Sequence, residues 1–120
     1  KNNEKKNILK KKESEIVTLE SKINIAFDEV ISLAKSNSPI FLTRFKEVYP
    51  DFIDKIIEIY PSIQSSELTF CAYIRLNFST KDIANFIFVT PKTIQMRKYR
   101  LRKKLNIPSD QDIYIWMNDL

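Results

Sequence analysis

The sequence predicts an all-α fold, in which a long N-terminal helix precedes a small bundle of shorter helices. Apolar residues recur at helical spacing along nearly all of the 120 residues. Alternation of the kind found in strands is poor, and the absence of glycine removes the usual hairpin turns. The pairs Tyr49–Pro50 and Tyr60–Pro61 mark helix ends, because proline disfavours helix in the residue before it.

Residues 1–36 are predicted to form a coiled-coil helix that pairs two copies of the chain. Leu9 begins a seven-residue apolar repeat, and a second apolar series occupies the complementary heptad positions, with Lys12 as a flaw. The seam expected to carry dimerisation consists of Ile16, Leu19, Ile23, Ala26, Val30 and Leu33. An alternative is that the same stripe packs against the chain's own domain. The first residue is Lys rather than Met, so we expect a piece of a longer protein.

The rest of the chain divides into a helical connector, residues 37–61, and a domain of four short helices, residues 62–120. The stretch "SNSP" at 36–39 ends the long helix. Ser79 is predicted to cap the helix in "TKDIANFIF", with Asp82 completing a capping box. Thr90 is predicted to cap the next helix, where Pro91 fits the first position because its missing N–H costs nothing.

Several classes of function are excluded by composition. The chain has no histidine, which rules out imidazole catalysis and histidine-ligated metal, and no glycine for phosphate-binding loops. Its one cysteine, Cys71, lies in an apolar stretch and is expected to be buried. We therefore expect no enzyme, no cofactor and no small-molecule substrate. No apolar run approaches the roughly 20 residues of a membrane span, so we expect no membrane contact within this segment.

Positive charge is concentrated in one quarter of the chain. The net charge is +5, but residues 75–107 alone hold nine Lys or Arg and one acidic residue. Within them, a short helix, a tight turn and the longer basic segment "TPKTIQMRKYRLRKKL" form a helix-turn-helix pattern. A polyanion such as double-stranded DNA is the expected partner.

A helical wheel at 100° per residue divides the basic segment into two edges. Ile94, Leu101 and Leu105 share the edge that must be buried. The opposite side carries uncharged residues able to contact base edges, namely Gln95, Met96 and Tyr99. It also carries cations that can neutralise phosphate, namely Lys92, Arg100, Arg102 and Lys103. Arg97, Lys98 and Lys104 lie nearer the buried edge and are expected to snorkel or to bond helix ends rather than to read bases.

The stretch "ELTFCAYIRLNFSTKDIANFIFVTPKTIQMRKYRLRKKLNI" resembles the LuxR-type helix-turn-helix, especially in regulators of the Bacteroidetes type. Glu67, "STKDIA" and "TPKTI" carry the resemblance. It implies a sequence-specific DNA-binding transcription regulator, the cytoplasmic effector end of a larger sensor protein. In such proteins tetratricopeptide repeats, a membrane-spanning helix and a coiled coil precede the domain. By position, Gln95, Met96 and Tyr99 would face bases, while Lys81 joins Lys92, Arg102 and Lys103 as phosphate contacts.

The sequence departs from that family's pattern at five positions. Gln95 replaces the usual Lys and Arg97 replaces the usual His, so base preference cannot be transferred. Gln64 replaces a Thr cap, which leaves Ser65 as a substitute or the cap weakened. Asn77 stands for Gly in the first turn, which Asn tolerates. Phe88 stands where Gly or Asn makes the second turn, so we expect either a reshaped turn or a ring that fills the core.

Two other functions fit parts of the pattern. A sigma-factor-like promoter-recognition region shares the helix-turn-helix and would bind core RNA polymerase. A protein-interaction module would instead use the coiled coil, the final helix with Trp116, and an acidic partner for the basic helix.

Overall fold

The computed structural model describes the backbone of residues 2–120 and the side chains of residues 10–120. In the part so described the chain forms seven helices and contains no strand, which confirms the all-α fold class. The helices are α1 (Asn2–Lys35), α2 (Phe41–Val48), α3 (Pro50–Ile59), α4 (Ser65–Arg75), α5 (Thr80–Ile87), α6 (Pro91–Lys104) and α7 (Ile113–Asn118). No helix within residues 2–120 has the length and apolar character that crossing a bilayer requires.

Helix α1 has two parts with different surroundings. Its C-terminal turns belong to the domain: Val30 is 1% exposed, Ala34 is fully buried, and Glu29 pairs with Arg44 of α2 at 3.5 Å. Farther upstream the helix projects away from the domain, and Ile16 and Ile23 are 54% and 62% exposed. The longest dimension of the molecule, 65 Å, reflects this projection.

The predicted dimer seam is therefore wrong at Val30. This side chain lies in the core of its own chain, where α1 packs on α2, so it cannot also face a partner. Leu33 is half-buried and packs against the same core, as the alternative interpretation of the stripe requires. Ala26 is half-exposed, and Leu19 is exposed beside Ile16 and Ile23. The side chain of Leu9 lies outside the described residues.

Helices α2 and α3 contribute aromatic and aliphatic side chains to the same core. Phe41 and Phe45 are buried, and the Phe45 ring stacks on Tyr49 with 4.8 Å between centroids. Tyr49 and Tyr60 close the two helices, as the Tyr-Pro pairs predicted. The buried cluster runs without interruption from α1 to α7 and crosses the expected boundary between residues 61 and 62.

Helix α4 packs against both α2 and α7. It begins after Gln64, whose backbone N–H donates to the Glu67 carboxylate at 3.3 Å. Ser65 is already the first helical residue, so the expectation that it substitutes as the cap is wrong. Cys71 is fully buried, and this burial raises the pKa of its thiol to about 12. The expectation of a buried cysteine is confirmed.

Helix α7 packs back onto α4 and fixes the turn that follows it. Met117 is fully buried, and the Tyr114 hydroxyl donates to the Phe78 carbonyl oxygen at 2.7 Å. The Asn118 side chain bonds to both Asn77, at 3.1 Å, and Arg75, at 2.9 Å. These bonds join α7 to the end of α4 and to the turn that leads into α5.

Candidate nucleic-acid interface

Helices α5 and α6 form the helix-turn-helix, and local capping fixes where each begins. The Ser79 hydroxyl accepts from the Asp82 N–H at 3.0 Å, and the Asp82 carboxylate accepts from the Ser79 N–H at 3.4 Å. The Thr90 hydroxyl accepts from the Thr93 N–H at 3.2 Å, and Pro91 occupies the first turn of α6. Each predicted cap is confirmed.

Both turns around α5 contain a residue in the left-handed conformation. Asn77 has φ of 65°, as expected for an asparagine in place of glycine. Phe88 has φ of 60° and ψ of 44°, and its side chain is 86% exposed. The two expectations for Phe88 are therefore wrong. The turn keeps its left-handed geometry, and the ring lies outside the core, in which Ile83 and Ala84 of α5 are buried.

Helix α6 is held by the three apolar residues that the wheel placed on its buried edge. Ile94 is fully buried, and Leu101 and Leu105 are nearly so. Together they fix the rotation of α6 about its own axis, because turning the helix would bring its cations into the core. The exposed side of α6 is therefore set by the packing of its opposite side.

The residues predicted to read bases all lie on the exposed side of α6. Gln95 is exposed, Met96 is 48% exposed and Tyr99 is 60% exposed. The Lys103 ammonium lies 4.4 Å from the centre of the Tyr99 ring, and Lys92 is exposed one turn before Met96. The structure thus brings polar, apolar and cationic groups together on one side.

Arg102 has partners inside the protein that the sequence did not reveal. It is half-exposed, and its guanidinium donates to the carbonyl oxygens of Pro108 at 2.9 Å and Gln111 at 2.6 Å. These carbonyls belong to the loop between α6 and α7. The side chain therefore ties the end of the basic helix to that loop, which competes with its predicted use as a phosphate contact.

Lys98 and Lys104 bond within the protein, as expected from their positions. The Lys98 ammonium donates to the Thr80 hydroxyl at 2.6 Å and lies 4.6 Å from the centre of the Tyr114 ring. The Lys104 ammonium donates to the Glu67 carboxylate at 2.9 Å. That hydrogen bond is the main reason why the pKa of Lys104 is raised. Both cations therefore have partners within the protein.

Arg97 lies on the flank of α6 that borders the buried edge. It is exposed, and with Arg100 it lines a cleft of about 360 Å³ between α6 and the start of α4. The wheel placed Arg97 near the buried edge, but this flank of α6 is only partly covered because the cleft opens there. No signal in the sequence gives the width of that opening. Lys81 is exposed in the first turn of α5.

Comparison with known proteins finds a similarity in the C-terminal part of the chain. Residues 67–117 match the model of the bacterial regulatory proteins of the luxR family, also called GerE. The match spans nearly all of α4 and continues into α7, so it contains both helices of the helix-turn-helix. No curated protein and no solved structure matches the chain.

Proposed function

We propose that this chain, in which residues 67–117 form a LuxR-type helix-turn-helix domain, is a sequence-specific regulator of transcription. It binds double-stranded DNA through α6 and acts as a homodimer through α1. Domains of this family are DNA-binding parts of regulators and are generally not enzymes. We further place the chain as the cytoplasmic effector end of a larger sensor protein.

The observation that carries the proposal is the charge on the exposed side of α6. A merely solvated helix usually mixes Glu with Lys, but α6 contains no acidic residue. In the described part of the chain, no carboxylate lies within ion-pair distance of Lys92, Arg100 or Lys103. Their charge is therefore available to an external polyanion.

The geometry supports reading from the major groove. A helix of this size fits that groove, where Gln95 can bond to an adenine edge and Met96 and Tyr99 can contact bases. Lys92 and Lys103 flank them and would neutralise phosphates, which releases counterions and gives affinity without sequence preference. Specificity therefore comes from the residues that contact bases, whereas the residues that contact phosphates position the helix.

The upstream part of α1 supports dimerisation. Ile16, Leu19 and Ile23 are each more than half exposed and recur at the spacing of a coiled-coil seam. A second copy of α1 would cover them. With Val30 buried in its own chain, the seam proposed here ends before that residue. A dimer would present two copies of α6 to half-sites about one helical turn of DNA apart.

The proposal is tested by the salt dependence of binding to duplex DNA. We expect affinity to fall steeply with salt, and Lys103→Ala to weaken binding to all sequences and lower the slope by about 0.9. Lys46→Ala is the matched control, because Lys46 is an exposed lysine of α2 and its loss removes the same charge. An affinity that does not change with salt would contradict DNA binding by this surface.

A further inference from the structure

The turn between α5 and α6 contains a feature that DNA binding by α6 does not explain. Four helices in the described chain end in the same left-handed motif, in which a backbone N–H bonds to the carbonyl five residues earlier. The four bonds are Ser38 to Leu33, Phe78 to Tyr73, Val89 to Ala84 and Ile107 to Arg102. The left-handed residues in them are Asn37, Asn77, Phe88 and Asn106.

Three of these four positions use asparagine, the residue after glycine that tolerates positive φ best. Phe88 is the exception, although a bulky side chain is disfavoured there. At the other three helix ends, the left-handed residue is therefore asparagine. A phenylalanine that costs stability at this position points to a use for its ring.

The ring has no structural use within the chain. Phe88 is 86% exposed, more than any other large apolar side chain in the described residues. Phe86, two residues earlier, packs edge-on against Phe78 with 4.9 Å between centroids. Phe88 takes part in no aromatic pair in the part of the chain that the structure describes. Its ring is available to an external partner.

The position and surroundings of Phe88 favour DNA as that partner. Phe88 lies two residues before Thr90, the cap of α6, and the N-terminal residues of such a helix approach base edges. A protein-binding anchor usually sits at the centre of a desolvated patch. Phe88 is instead followed by exposed Thr90 and Lys92, in a segment with nine cations and one acid.

We infer that the Phe88 ring contacts the methyl group of a thymine at the edge of each half-site. The flat faces of bases are stacked inside a duplex, so the apolar group that the major groove offers to a phenyl ring is the thymine methyl. Phe88 would then be a fourth reader of sequence beside Gln95, Met96 and Tyr99. The inference rests on the proposed function, since it requires that α6 enters the groove.

Uracil substitution tests this contact directly, because uracil is thymine without the methyl group. Duplexes selected by the full chain from a random pool are resynthesised with one thymine replaced at a time. For one thymine in each half-site, we expect the wild-type dissociation constant to rise about fourfold. Phe88→Asn should bind the thymine and uracil duplexes equally. Ile115→Asn, which removes another exposed apolar side chain, should keep the wild-type response.

Thermal melting of the same variants separates a DNA contact from a structural role. Because asparagine fits the left-handed turn, Phe88→Asn should raise the melting temperature, by about 4 °C. A clear fall would make the ring structural and overturn the inference. An unchanged uracil response, or an equal loss of affinity on all sequences, would also overturn it while leaving the proposed function intact. Failure of wild type to bind any duplex would overturn both.

Discussion

Arg102→Ala distinguishes the structural role of this residue from the phosphate contact that the sequence predicted. The guanidinium donates two short hydrogen bonds to carbonyl oxygens of the loop after α6. A hydrogen bond from a charged donor contributes about 1.5–3 kcal/mol when buried. Because Arg102 is half-exposed and water can replace part of the bonding, we expect a total loss of about 2 kcal/mol.

The assay combines denaturation with DNA titration. A loss of this size should lower the melting temperature by about 8 °C. The slope of the binding constant against salt should stay close to wild type. Arg102→Lys is the matched control: it keeps the charge, but its side chain is one bond shorter than the guanidinium arm whose Nη2 donates to both carbonyls, so we expect it to lose stability as well.

The opposite pattern would refute this reasoning. If Arg102 mainly contacts phosphate, Arg102→Ala should lower the salt slope by about 0.9 and leave the melting temperature unchanged. In that case Arg102→Lys should behave like wild type in both assays. Lys103→Ala gives the reference for the loss of a phosphate contact, because Lys103 is exposed and, unlike Arg102, donates no hydrogen bond to a loop carbonyl in the described residues.

Three further predictions concern other parts of the molecule. In urea titrations, the free energy of unfolding should fall between pH 9 and 11, because the Cys71 thiol ionises at its ordinary value of 9.0 when unfolded and at about 12 when folded. Cys71→Ala should make the free energy of unfolding less dependent on pH in this range. If the variant shows the same fall as wild type, the fall does not come from the Cys71 thiol. Ile23→Lys should abolish self-association in sedimentation experiments without changing domain stability, whereas a wild-type monomer would refute pairing through α1. Gln95→Ala should change the preferred base at one position of selected DNA. An equal loss of affinity for all sequences would instead show that Gln95 contacts the DNA backbone.

Most of the fold could be predicted because its helix ends carry local chemical signals. Ser79 with Asp82, and Thr90 with Pro91, cap helices through bonds between near neighbours in the sequence. The buried edge of α6 followed from periodicity alone, since Ile94 and its two companions recur on one side. These features depend on residues within one or two turns, which a sequence displays directly.

The features that escaped prediction depend on distant parts of the chain. Val30 has the spacing of a coiled-coil residue, but α2 folds back and buries it. The loop after α6 positions two carbonyls for Arg102, and the opening between α4 and α6 exposes Arg97. Phe88 adopts the left-handed conformation, which bulky side chains usually avoid. Periodicity contains no information about these tertiary contacts.

The central claim is that α6 reads a specific DNA sequence from its acid-free side. It is tested most directly by selecting duplexes from a random pool with the full chain. We predict enrichment of a motif with two half-sites whose centres lie about 10 base pairs, or a multiple of that spacing, apart. A selected pool with no motif beyond the starting composition would contradict sequence reading by α6.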